Sequence, residues 1–332
     1  MILITGATGL IGRRLIPTLK ERFAAKPIRI LTRALPPPGT FPQGVQVLLG
    51  DLLNSQVATT AVCGVEVVVH LAAKVQPDAR EIGDMRHVNR EGTRNLYSAA
   101  VAAGAKLFVH MSSAGVYGPP RSPAPFKEGD PCNPITAYQI SKFEAEEALR
   151  QIGPNQTTLN ILRPTGIYGP GSQLSSYRKV LGQRWTAELS GGVIVHPTHV
   201  ADVVEAITAL VEQPASTGTI FNLGGERSLL LQDLFALMAE TLGCGRRRIV
   251  LSRSIVGPLG GIAEVLCSMI GRPKPLLGAM CRGECFSAAV DDTRFRERYP
   301  NVPVVRLAAG LREHIDWARA NRLLEDAHAT RR

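Results

Sequence analysis

The chain reads as an α/β protein on a doubly wound parallel sheet, with a smaller C-terminal lobe. Three observations predict this. Met1-Ile2-Leu3-Ile4 is an apolar strand that runs through a glycine turn directly into a helical stretch. Short apolar runs then alternate with helical stretches to about residue 172, the rhythm of βαβ units. From about Gln173 that rhythm stops. The expected division is therefore 1–172 for the sheet domain, completed by later segments near 193–225, and 173–332 for a mainly substrate-binding lobe.

In order, Thr5-Gly6-Ala7-Thr8-Gly9-Leu10-Ile11-Gly12 follows the first strand and precedes the helix opened by Arg13 and Arg14. Strand, glycine turn and helix form the context of a dinucleotide fingerprint, a Rossmann-type feature. Gly6 serves the turn, Gly9 the close approach of a diphosphate, and Gly12 the packing of helix on strand, with phosphates at the helix N-terminus. Pro27 to Arg33 is the second strand. An NAD site usually ends this strand with an acidic residue; Arg33 suits a 2′-phosphate, which points to NADP with NAD the alternative. Val45 to Leu53 is the third strand, and Asp51 at its end serves either an adenine amino group or the cap of the next helix. Val65 to Ala73 is a buried fourth strand in which His70 reads as a core histidine. Its small end, Ala72-Ala73, leaves room for a cofactor.

Asn89 is expected to open a helix that runs to Ala103 and stops at Gly104. Lys106 to Ser113 is the fifth strand, with hydroxyls at the carboxyl end where open sheets bind ligands. Thr157 to Leu162 is the sixth. In the later part, the run His196 to Val204 is expected to lead into a helix through Val211, with further helices at Leu229 to Leu242 and Leu307 to Ala320 and a short strand at Ile220–Leu223. His196 and His199 read as anchors of the lobe.

Composition narrows the class. A chain of 332 residues, 45% hydrophobic and 20% charged, is expected to be a soluble globular protein. The net charge of +10 is spread over scattered arginines with no basic helix interleaved with aromatics, which argues against nucleic acid. Six cysteines without a CxxC pair or a histidine cluster argue against a metal site and for free thiols in a reducing cytoplasm. The first strand starts at Met1, so a cytoplasmic location is expected. The apolar run Ser254 to Ile270, broken by Glu264, Pro258 and glycines, is expected to form a helix pair or lid against a lipid-like substrate, not a membrane span.

The chemistry centres on Tyr138-Gln139-Ile140-Ser141-Lys142, in a helix-forming run that starts past Pro134. Residues four apart share a helix face. A phenol near pKa 10 is a poor base at neutral pH, and an adjacent ammonium favours the phenolate, so that Tyr138 can exchange a proton with an alcohol or carbonyl oxygen.

Six motifs together resemble the extended short-chain dehydrogenase/reductase (NAD-dependent epimerase/dehydratase) superfamily. They are Thr5-Gly6-x-x-Gly9-x-x-Gly12, His70-Leu71-Ala72-Ala73, Val88-Asn89-x-x-Gly92-Thr93, Ser112-Ser113 with Val116-Tyr117-Gly118, Tyr138-x-x-x-Lys142, and Arg163-Pro164-x-x-Ile167-Tyr168-Gly169-Pro170-Gly171. They span about Met1 to Asp202. The resemblance implies Tyr138 as acid/base, Lys142 lowering its pKa and holding the nicotinamide ribose, Ser113 orienting the reacting oxygen with Ser112 as runner-up, and Asn89 supporting the proton relay. It implies cofactor contacts from Gly6, Thr8, Gly9, Leu10, Ile11, Arg33, Asp51, Leu52, Leu71, Ala72, Ala73, Met111, Tyr138, Lys142, Pro164 and Ile167. A homodimer through the helices around Asn89 and Tyr138 is also implied.

Ala114-Gly115 stands where many dehydratases of the family carry an acidic pair, which argues against dehydration. The C-terminal part resembles the branch of 3β-hydroxysteroid dehydrogenases and dihydroflavonol-type reductases. The family's His-Val-Asp-Asp is His199-Val200-Ala201-Asp202 here, lacking its first carboxylate. The expected activity is NAD(P)H-dependent interconversion of a carbonyl and an alcohol on a small-molecule substrate. A nucleotide-sugar 4-epimerase with retained NAD is the alternative, and a non-catalytic dinucleotide-binding scaffold the second. Scaffold members tend to lose the tyrosine or the lysine; both are present.

Overall fold

The computed structural model describes residues 1–75, 82–120, 122, 124–153, 156–172, 185–189, 193–243, 247–251 and 289–323. The apolar run Ser254 to Ile270 lies outside them. Strand β1 (Ile2–Thr5) leads through the glycine turn into α1 (Gly12–Arg22), then β2 (Ile28–Thr32), β3 (Gln46–Leu49), α2 (Ser55–Ala61), β4 (Val67–His70), α3 (Ile82–Ala102) and β5 (Leu107–Met111). A 3-10 turn over Ala114–Tyr117 precedes α4 (Ala137–Gln151), β6 (Thr158–Pro164) and β7 (Ile167–Tyr168). Then come β8 (Trp185–Leu189), β9 (Ile194–Val195), β10 (Thr198–His199), α5 (Val200–Glu212), β11 (Thr219–Leu223), β12 (Leu229–Leu230), α6 (Leu231–Thr241), β13 (Arg247–Leu251), α7 (Thr293–Arg298) and α8 (Leu307–Ala320).

The main sheet has seven parallel strands in the order β11-β6-β5-β4-β1-β2-β3. The order reverses at β1, between β4 and β2, so the crevice above the carboxyl ends of β1 and β4 is the switch point where such sheets bind ligands. Strand β11, late in the chain, completes the sheet beside β6.

Alternation along the strands separates two cores. Ile2, Ile4, Val67, Val69, Val109 and Met111 pack under α1, α5 and α7. Leu3, Val68, Phe108, Leu159 and Ile161 pack under α2, α3 and α4. Helix α4 starts where local chemistry dictates: Thr136 accepts from Gln139 N–H, and the Gln139 side chain returns to the Thr136 N–H as a capping box.

Several expected boundaries move. Helix α3 begins by Ile82, not at Asn89; Asn89 has the residue type of a helix start, but its side chain is spent on a neighbouring strand end. Leu229 and Leu230 pair with β9, so α6 starts at Leu231. Helix α2 is capped by Asn54, while the Asp51 carboxylate accepts from Leu53 N–H in the turn before it.

Candidate active site

The glycine loop closes tightly on the end of β4. Gly6 has φ +70°, and a side chain there would stand 2.7 Å from Ala72 N and from the Leu71 carbonyl carbon. At Gly12 it would meet Gly6 O at 2.5 Å, which is why helix α1 can start directly beneath the loop. Thr8 and Gly9 are exposed, Leu10 and Ile11 half-buried, and the first turn of α1 carries no acidic side chain. Open main chain at an uncontested helix N-terminus fits the diphosphate of a dinucleotide. The half-buried Leu71, Ala72 and Ala73 face this loop across the switch point.

The adenosine end is less enclosed. Asp51 is exposed, and Leu52 is held against α3, its carbonyl accepting from Asn95 Nδ2 at 3.0 Å. Arg33 is exposed one residue past β2. Lys74, and more weakly Arg33, hold the Asp84 carboxyl below its usual range. Met111 is buried in the core under α1 and α5, Pro164 is buried at the end of β6, and Ile167 is half-buried beyond it.

The four residues expected to carry chemistry come from four different segments. Asn89, on α3, accepts from Lys74 N–H at 2.7 Å, donates to Lys74 O at 3.0 Å and donates to Ser141 Oγ at 2.9 Å. Ser141 in turn donates to the Tyr138 carbonyl at 2.7 Å. Asn89 therefore ties the end of β4 to the first turn of α4. Ser113, beyond β5, has its hydroxyl accepting from Gly115 N–H at 3.1 Å. Gly115 lies against Gln139, so this hydroxyl stands beside the first turn of α4, next to Tyr138 in sequence.

Ser112 points elsewhere: its hydroxyl donates to Glu146 beneath the sheet edge. The two adjacent hydroxyls thus point to different partners, Ser112 to Glu146 and Ser113 to the Gly115 turn. Lys142 is 3% exposed, and its charge is felt by His70 and His110 at the ends of β4 and β5. Burial brings Lys142 down to about 8, opposed by Glu146. Burial lifts the Tyr138 hydroxyl to about 12, opposite in direction to the lowering expected of a nearby ammonium.

Sequence reasoning left out the support beneath these groups. His70 is a buried relay as well as a core residue. Thr93 donates its hydroxyl hydrogen to Asn89 O at 2.6 Å, so its oxygen accepts from His70 Nε2–H at 2.9 Å. His70 Nδ1 then accepts from Thr5 Oγ1 at 2.7 Å, and that oxygen accepts from Ala72 N–H at 3.3 Å. Burial holds His70 neutral, down to about 3, as this tautomer requires. The relay joins Ala72, just past β4, to the helix of Asn89. In the later part His196 Nε2 reaches Gly225 O and His199 caps α5. Cys63 and Cys132 are free thiols, and among the described residues no group of His, Cys, Asp or Glu could hold a metal.

The switch-point glycine cradle above a seven-stranded parallel sheet is that of a Rossmann-type protein. The chain matches the NAD dependent epimerase/dehydratase family over residues 2–224 and belongs to that family. It is 26% identical over 300 residues to the N-acetyl-alpha-D-glucosaminyl-diphospho-ditrans,octacis-undecaprenol 4-epimerase of Escherichia coli O157:H7, covering 88% of each chain. It is 32% identical over 189 residues to human 3 beta-hydroxysteroid dehydrogenase type 7, covering 52% of this chain and 51% of that one. The solved structure of MoeE5 in complex with UDP-glucuronic acid and NAD shares the fold at a TM-score of 0.74 and 23% identity, over 96% of this chain and 99% of that one. No helix among the described residues is long and apolar enough to cross a membrane.

Proposed function

We infer that the protein is an NAD(P)H-dependent oxidoreductase that interconverts a ketone or aldehyde with an alcohol. A dinucleotide with its diphosphate held at the glycine cradle would supply or accept the hydride through its nicotinamide. Tyr138 gives the proton to the developing alkoxide or takes it from the alcohol. Lys142, charged at neutral pH, stabilises the phenolate that forms, and Ser113 orients the reacting oxygen through its hydroxyl. Asn89 holds the first turn of α4 against the β4 end. What supports the reading is the Lys74–Asn89–Ser141–Tyr138 chain of hydrogen bonds, which ties the first turn of α4 to the segment past β4. Arg33, exposed past β2, favours NADP. The substrate is a small molecule covered by the part of the chain past residue 172, and we assign the working form to a cytoplasmic homodimer through α3 and α4.

A second reading has a specific support: the undecaprenol-linked sugar 4-epimerase is similar along nearly nine-tenths of both chains. There the same residues would oxidise and re-reduce one sugar carbon with retained NAD.

Denaturing the purified protein and identifying any released nucleotide separates the two. Stoichiometric NAD would favour the epimerase. NADP, or a site that takes NADPH more tightly than NADH, would favour the reductase. Tyr138→Phe should lower substrate-dependent turnover by about 10³-fold while dinucleotide binding persists. Turnover within threefold of wild type would remove Tyr138 from the mechanism.

A further inference from the structure

The carboxylate of Glu146 is fully buried on the catalytic helix, one turn beyond Lys142 and two beyond Tyr138. Buried carboxylates are costly unless every lone pair is matched, and this one is matched by donors from three elements. Oε1 accepts from the Ser112 hydroxyl and from Arg163 Nε at 2.9 Å. Oε2 accepts from Arg163 Nη2 at 2.6 Å and Arg150 Nη2 at 3.2 Å. Arg163, 2% exposed on β6, carries the connection onward: Nη1 donates to Tyr117 OH at 2.9 Å, and Tyr117 donates to Asn222 Oδ1 at 2.8 Å. Asn222 on β11 then donates to Phe126 O and Asp291 O.

One carboxylate thus joins the helix of Tyr138 and Lys142, the strand end that continues into Ser113, and the strand that ends in Pro164. A bidentate arginine fork has little freedom of angle, so it sets the rotation of α4 about its axis, and with it where Tyr138 and Lys142 point. The Ser112 bond sets the height of the next residue, Ser113, against that helix. An error of about 1 Å between acid/base and orienting groups costs on the order of 10²-fold in rate.

We propose that Glu146 is a positioning residue, locking the Tyr138–Lys142 helix to the Ser113 strand end through Ser112 and Arg163. The proposal rests on the roles inferred for Tyr138, Lys142 and Ser113. It also implies an electrostatic duty. The titratable and charged groups around the Lys142 ammonium are Tyr138 and Glu146 on its own helix, His70 on β4, His110 on β5 and, beyond Glu146, Arg163 on β6. Both histidines are held neutral by burial, so Glu146 is the anion that keeps Lys142 charged.

The test compares Glu146→Gln, Ser112→Ala and Ser112→Thr with wild type in the whole chain, the fold checked by circular dichroism and melting. One readout needs no substrate: NMR titration of Lys142 in protein carrying ¹⁵N on its lysine side chains. The midpoint is expected near 8 in wild type and in Ser112→Ala, and at lower pH in Glu146→Gln. The other is NADPH consumption with phenanthrenequinone as probe carbonyl. Ser112→Ala should lose about tenfold in kcat at unchanged KM and unchanged NADPH Kd, and Ser112→Thr, which keeps the hydroxyl, should recover it.

A folded Glu146→Gln whose Lys142 midpoint does not move overturns the proposal. So does a Ser112→Ala kcat equal to wild type, which decides the matter where Glu146→Gln fails to fold. A wild type inert with the probe overturns the reductase reading alone. The same kcat comparison is then made on inversion of UDP-glucose, with the Lys142 midpoint as before.

Discussion

The two faces of the central sheet are built on the same strands with the same alternation, and they finish differently at the carboxyl edge. On the face under α1 and α5 the last inward residues are Ile4, Val69, Met111 and Leu162, apolar to the end. On the face under α3 and α4, Leu3, Val68, Phe108 and Ile161 give way to Thr5, His70, His110, Ser112 and Arg163, all buried. Apolar burial is non-directional, so the first face binds its helices without fixing their rotation. Directional bonds on the second face specify the pose of α3 and α4, at the risk that losing one partner strands a buried polar group. The helices that carry Asn89, Tyr138 and Lys142 pack on the second face.

That comparison can be broken most severely at Arg163. Arg163→Met would leave the Glu146 carboxylate buried without its main partner and should destabilise by about 3–5 kcal/mol in urea unfolding. On the apolar face Leu210→Ala should cost about 2–5 kcal/mol through its cavity. The distinguishing readout is activity: Arg163→Met at a temperature where it stays folded should also lose turnover, whereas Leu210→Ala should keep it. Equal turnover in the two would deny the faces their separate duties.

Acid sharpens the contrast further. His70 sits near 3 in the folded chain, below its ordinary value of 6.5, because burial penalises the imidazolium. The unfolded chain therefore binds more protons between those values, and stability falls as pH drops from about 6.5 toward 3. His70→Asn should flatten that slope in urea unfolding followed against pH; an unchanged slope would place the acid sensitivity elsewhere.

The smallest expected effect is at His110, stacked 5.5 Å from His70 with no hydrogen-bond partner for either ring nitrogen. Replacing an unmatched buried polar group by an apolar one is close to neutral, so His110→Leu should leave stability within about 1 kcal/mol of wild type or raise it. A loss above about 2 kcal/mol would mean that His110 belongs to the polar network.

Much of this was legible in the chain because the signals are local. The strand–glycine–helix start, the βαβ rhythm and Tyr138-x-x-x-Lys142 depend on residues close in sequence, where backbone sterics and helical spacing act directly. What escaped was everything that depends on which distant side chain completes a hydrogen bond. Asn89 looks like a helix start because its residue type favours caps, yet its amide is spent on Lys74 and Ser141. Ser112 and Ser113 are adjacent and chemically identical, and only the position of Glu146 separates their directions.

The sequence by itself therefore determined the fold class, the family and the residue types at the sheet edge, since these follow from periodicity and short motifs. Tertiary structure decided which of those residues pair with one another beneath the sheet edge, and which way burial shifts Lys142 and Tyr138. Burial and long-range pairing set those properties, and neither exists until the strands are side by side.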